Sequence, residues 1–166
     1  DIFPGVAFQA KKGRNTFMAK TFQISLADRI VAALTTTLLR AGVKISTVSL
    51  LTVRGRKSGQ PRTVLVTLVE QEGQRWLVAP YGSVQWVRNI RAAGTATLTR
   101  SRRSEEISVT ELDAHEAAPI LKQYLAQVSV VRPYFDVTKD APLADFEQEA
   151  PHHPVFQITK VETISK

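Results

Sequence analysis

Thr52-Val-Arg-Gly-Arg-Lys-Ser-Gly-Gln-Pro-Arg-Thr-Val-Leu-Val66 is a basic, glycine-bracketed loop set between two apolar runs. β-Branched residues crowd both flanks, so residues 46–53 read as one strand and 63–70 as the next. The loop between them is then a hairpin tip. Gly55 and Gly59 permit positive φ and close backbone approach, and Pro61 fixes the chain as it re-enters a strand. Arg54, Arg56, Lys57 and Arg62 set four cationic heads around one turn, with Ser58 and backbone N–H groups between them. That combination suits a ligand carrying phosphate or carboxylate. Two other readings fit the same residues: a solvated basic turn and a nucleic-acid contact. A Walker loop does not fit, because the second glycine is not followed by Lys-Ser/Thr and no helical pattern comes after it.

Working outward, Glu72-Gly73 supplies a tight turn into a third strand over 75–80. Val64, Leu65 and Val66 are apolar in succession, which predicts a strand buried on both faces. Pro80-Tyr-Gly-Ser83 breaks the third strand, and Ser83 is placed to cap a helix over 84–92. The start of that helix presents free N–H groups and the positive end of a dipole, a second anion site. Residues 94–99 alternate Ala and Leu with Thr and predict a half-buried strand; Arg100-Ser-Arg-Arg-Ser104 is its tip, and 105–112 return as a strand. Asp113 caps a helix over 114–126 whose inward face is Ala118, Leu121, Tyr124 and Leu125. Between 128 and 151 the pattern is irregular, with a short helical turn at 142–146, and a closing strand is expected over 155–159. His152 and His153 are adjacent and so point to opposite faces of an extended chain, a poor metal chelate; no metal is assigned.

Toward the N-terminus, residues 1–20 mix Lys11, Lys12, Arg14 and Lys20 with Phe3, Phe8 and Phe17 and show no sustained period, which predicts a flexible basic arm. In 21–39, Phe22, Leu26, Ile30, Ala33, Leu34 and Leu38 recur at helical spacing, and Gly42 ends the run. This amphipathic helix either covers an open barrel end or lies on an anionic membrane surface. The expected organisation is the arm over 1–20 and a single cofactor-binding domain over 21–166.

Gly55-Arg-Lys-Ser-Gly-Gln-Pro-Arg-Thr63, Trp76-Leu-Val-Ala-Pro-Tyr-Gly82 and Trp86-Val-Arg-Asn-Ile-Arg91 follow one another in an order that resembles the deazaflavin (F420)-dependent nitroreductase family. The resemblance spans Val48 to Leu125. It implies an α+β fold: a split β-barrel of the FMN-binding type, antiparallel and six-stranded, flanked by helices. It also implies an F420H2-dependent reductase passing a hydride to a small organic acceptor, an enone, quinone or nitro compound. By the same resemblance Arg54, Arg56, Lys57, Ser58 and Arg62 hold the anionic part of F420. The ring runs beside Thr63, Val64, Leu65 and Val66 and beside Ala79, Pro80, Tyr81 and Gly82. Where many relatives carry a proline after the threonine equivalent to Thr63, this chain has Val64 and Leu65. Trp86, Arg88 and Asn89 belong to the phosphate side, with core anchoring the alternative for Trp86 and a structural role favoured for Asn89. Tyr134 is the candidate for orienting or protonating the substrate, against a reading as a packed aromatic. The Arg100–Ser104 tip reads as a solvated turn, or as a contact for the cofactor's oligoglutamate tail.

With 166 residues the chain fits one domain with a real core. Apolar residues at 43% and charged residues at 22% are ordinary for a globular protein. A net charge of +7 favours anionic partners. Cysteine is absent, which excludes disulfides, thiol nucleophiles and zinc thiolate sites. No apolar run reaches the roughly 18 residues of a membrane span, and no signal-peptide pattern opens the sequence. A cytoplasmic protein is expected, with membrane association through the amphipathic helix as the alternative. The numbering opens on Asp1 rather than Met, which suggests that it does not begin at the native start. FMN is the alternative cofactor, and a non-enzymatic module for an anionic ligand is the alternative function. Nucleic acid is not expected as a partner, because the aromatic residues do not interleave with the basic ones in a stacking pattern. A homodimer is among the expected assemblies.

Overall fold

Ser49, Leu51 and Val53 alternate with Val48, Leu50 and Thr52, so β1 (Val48–Arg54) buries one face fully and the other in part. It pairs antiparallel with β2 (Pro61–Gln71), Leu51 opposite Val64 and Arg54 opposite Pro61. Glu72 and Gly73 both take positive φ, 51° and 78°, and join β2 to β3 (Gln74–Val78) through a two-residue turn whose twist matches the strands. The structure is a computed structural model and describes residues 48–160. The arm over 1–20 and the helix expected over 21–39 lie outside them.

After α1 (Gln85–Ala93), β4 (Thr95–Arg100) and β5 (Arg103–Glu111) form a second two-residue hairpin at Ser101-Arg102. β6 (Val155–Lys160) inserts between β3 and β5, and β4 returns to β1, which closes the barrel in the order β1-β2-β3-β6-β5-β4. The expected six-stranded antiparallel barrel is the observed one, with strand ends displaced by one or two residues, the usual latitude of boundaries.

Leu51, Leu68, Leu77, Leu98, Ile107 and Phe156 fill the barrel. Val87 and Ile90 of α1 join this cluster with no exposed surface. A second cluster lies outside, where Val69, Trp76 and Val78 meet α2 (Ala114–Gln127) through Ala118, Leu121, Tyr124 and Leu125, and Phe146 of α3 (Leu143–Glu149). Between α2 and α3 runs a 3-10 turn, Ser129–Tyr134.

The expected cap at Asp113 is present as a capping box. Glu116 N donates to Asp113 Oδ1 at 2.8 Å, and Asp113 N donates to Glu116 Oε2 at 3.3 Å. Asp113→Ala is expected to cost about 1 kcal/mol. Urea denaturation reads this as a lower midpoint, and an unchanged midpoint would show that packing alone holds the start of α2.

The cap of α1 differs from the expectation. Val84, not Ser83, is the N-cap, and no side chain caps the helix. The Ser83 hydroxyl is drawn away, accepting from the Arg91 guanidinium at 2.9 Å, while Arg91 also binds Glu111 of β5 at 2.6 and 2.8 Å. Arg91 therefore staples the helix to the barrel wall.

Candidate functional site

A cavity of about 900 Å³ lies between the β1–β2 tip, the start of α1, and the end of α2 with the 3-10 turn after it. That volume is in the range of small-molecule and cofactor sites.

The tip is tightly folded: Gly55 N donates to Gln60 O and Gly59 N to Gly55 O, each at 2.8 Å. A Cβ on Gly55 would sit 2.8 Å from Ser58 Oγ, and Gly59 holds φ at +68°. These are the close approach and the left-handed residue that the spacing predicted. Arg56 is not a free cation. Its backbone N donates to Asn89 Oδ1 at 3.2 Å, and its guanidinium donates to the same oxygen at 3.1 Å and to Gln85 Oε1 at 3.0 Å. Asn89 is buried and ties the tip to α1, and it lines the cavity as well.

Lys57 and Arg62 also line the cavity, and neither side chain has a hydrogen-bond or ion-pair partner among the described residues. Ser58 lies between them and accepts from Gln60 N at 3.3 Å. Facing this basic edge, Gln85 and Trp86 sit in the first turn of α1, whose amides have no side-chain cap. The Trp86 ring rests on Phe156 of the barrel core, centroids 6.0 Å apart, and lines the cavity as well, so the anchoring and contact positions coincide.

The rest of the lining is mainly apolar. Thr63, Val64, Leu65 and Val66 form the β2 side, with Val78, Val128 and Val131 beyond. Val64 and Leu65 are half-buried rather than buried on both faces, because the cavity lies against this half of the strand. Pro80 and Tyr81 continue the lining. Tyr81 packs edge-on against Tyr134, centroids 4.8 Å apart and planes at 88°, with both rings more than half exposed. Burial first, then the neighbouring Tyr134, push the Tyr81 phenol above its ordinary value. Tyr134 itself stands outside the lining and meets the site through Tyr81.

Arg54, Arg88, Ala79 and Gly82 are not brought to the cavity. Arg54 and Arg88 are exposed elsewhere on the surface. Ala79 is fully buried and donates its N–H to Pro154 O at 2.9 Å. Gly82 has φ +75°, and a Cβ there would lie 3.2 Å from the His152 carbonyl oxygen.

Beneath this turn lies a pair that sequence reasoning missed. His153 Nε2 is 2.8 Å from Glu149 Oε1, and its Nδ1 is 2.9 Å from the Pro80 carbonyl oxygen. That carbonyl can only accept, so Nδ1 carries a proton. Asp136 N donates to the same Glu149 oxygen at 3.1 Å, and the Phe135 ring stacks on the imidazole at 3.8 Å. Both titratable groups are more than nine-tenths buried. The pair thereby fixes Pro80 beside Tyr81, and Phe135 beside Tyr134. Its one sequence signal was the i, i+4 spacing of Glu149 and His153.

An antiparallel six-stranded barrel with flanking helices, here with a cationic hairpin over an apolar cleft, defines the class, a split-barrel fold. The F420H(2)-dependent quinone reductase family matches residues 27–140, and the chain belongs to that family. It is an F420H2-dependent reductase. One similar solved structure is an F420-H2 dependent reductase, at 24% identity over 70% of this chain and 97% of that one, with a TM-score of 0.48. Another, described as a domain-swapped dimer, has 23% identity over 81% and 100%, with a TM-score of 0.49. A protein of unknown function from Agrobacterium tumefaciens shares the fold at 13% identity over 75% and 54%, with a TM-score of 0.50. No protein of curated function matches the chain. Among the described residues, no helix is long and apolar enough to cross a membrane.

Proposed function

We propose that the chain reduces a quinone-type acceptor with F420H2, and that the cofactor's phosphate lies at the hairpin end of the 900 Å³ cavity with its ring along β2. The observation that carries this reading is the polarity of the cavity: Lys57 and Arg62, without partners among the described residues, and an uncapped helix start at one end, an apolar wall at the other. Those donors fit a phosphate, because ammonium, guanidinium, hydroxyl and backbone N–H groups converge on one edge. The backbone hydrogen bonds of Gly55 and Gly59 keep the tip folded. When bound, the deazaflavin supplies a hydride from its ring. The chain's own residues bind and orient: Lys57, Ser58 and Arg62 hold the anion, Asn89 sets the tip through Arg56, and Val64 to Val66 with Trp86 keep water from the ring face. Tyr81, with Tyr134 against its edge, stands where an acceptor would enter.

Fluorescence titration with oxidised F420, run beside FMN, tests this. Saturable binding that is tight for the deazaflavin and weak for the flavin is expected; a preference for FMN would keep the site and replace the carrier. In the same assay Lys57→Ala/Arg62→Ala is expected to weaken F420 binding about tenfold or more, the loss of two charge-assisted contacts. Unchanged binding would mean that the phosphate lies elsewhere. Turnover of a quinone against an enone and a nitro compound then ranks the acceptors.

A further inference from the structure

We infer that Tyr124 and Thr67 form a hydroxyl subsite for a neutral acceptor oxygen, a quinone or ketone carbonyl, on the buried wall of the cavity. Thr67 sits on β2 opposite Val48, with its side chain on the same face as Val69. Tyr124 lies on the buried, inward side of α2. Both line the cavity, with only 8% and 3% of their surface exposed. Neither hydroxyl has a hydrogen-bond partner among the described residues. The two side chains are buried while their hydroxyls open onto the cavity without a protein partner, so a ligand atom entering there can take up both hydrogen bonds.

The surroundings select its chemistry. Val78, Val128 and Val131 line the same cavity, and its cations are on the hairpin tip. An anionic oxygen would be desolvated there without compensation, whereas a carbonyl needs only donors for its two lone pairs. Burial, and secondarily Tyr81, hold the Tyr124 phenol far above its ordinary value, so it stays protonated and can donate throughout the neutral range. Donation from both hydroxyls fixes the carbonyl's direction and draws electron density from its carbon, which favours arrival of a hydride.

This inference rests on the proposed function, and the test separates the two. Menadione and 2-methylnaphthalene, the same ring system without oxygens, are titrated into the full chain with oxidised F420 in excess, and F420 affinity is measured in parallel. Tyr124→Phe is expected to weaken menadione about tenfold while leaving 2-methylnaphthalene and F420 within about twofold. The carbonyl stretch of bound menadione should rise toward its value in hydrocarbon solvent. Thr67→Val gives a smaller loss of the same kind, and Thr67→Ser restores parent affinity. Equal losses for both ligands, or none, would overturn the subsite. So would a parent chain that binds F420 but not menadione. A parent that binds neither overturns both readings, and hydroxyl-dependent menadione binding without F420 binding overturns the proposed function alone.

Discussion

Glu149→Ala is expected to lose about 3–5 kcal/mol of unfolding free energy, the summed cost of leaving the Asp136 amide and the buried His153 ring without their hydrogen-bond partner. The Glu149 side chain accepts from Asp136 N and is hydrogen-bonded to His153, and both partners are stranded in a buried site when it goes. Guanidinium denaturation reads the loss directly. Glu149→Gln, which keeps an acceptor oxygen, should lose less. A double-mutant cycle with His153→Phe isolates the coupling, because a ring at 153 preserves the stack on Phe135. The folded fraction of Glu149→Ala should also bind acceptor poorly, since Pro80 and Phe135 are held by the same network. A variant with parental stability would show that the pair is bystander geometry.

Phe156→Ala follows at a similar size, about 3–5 kcal/mol, from lost transfer energy and the cavity left behind. Phe156 is 1% exposed inside the barrel, on the strand that joins β3 to β5. Its removal leaves the Trp86 ring unsupported from below, so F420 affinity should fall with stability. Phe156→Leu, which nearly conserves volume, separates the effects: most stability returns while the ring contact stays lost. If Phe156→Ala weakened neither, Trp86 would be held by the cavity side alone.

The hairpin around Gly55 and Gly59 was legible because its chemistry is local: turn residues, flanking β-branched runs and a run of cations. The Asp113 cap was legible for the same reason, its bond reaching only three residues along the chain; the reciprocal bond from Glu116 came with the structure. What sequence reading could not reach were contacts between distant segments. Arg56 and Arg62 look alike in the sequence, yet Asn89, 33 residues on, makes the first a buttress, while the second has no partner among the described residues. Ser83 is a sound cap by rank and loses that role to Arg91. Tyr124 read as a packing residue at helical spacing; that its hydroxyl meets a cavity depends on where β2 passes. His153 finds its carbonyl 73 residues away, beyond any local pattern. Tyr134, chosen for its place after the helix, lies one ring farther from the lining than Tyr81.

The place of β6 has a consequence for how the chain is made. It pairs with β3 on one side and β5 on the other, joining residue 78 to residue 155. During synthesis β3 and β5 both emerge with open edges, and neither can be covered until residues 155–160 leave the ribosome. Pairing across so long a separation is slow, which gives the nascent chain an interval in which a second copy or a chaperone can take the vacant place between those strands.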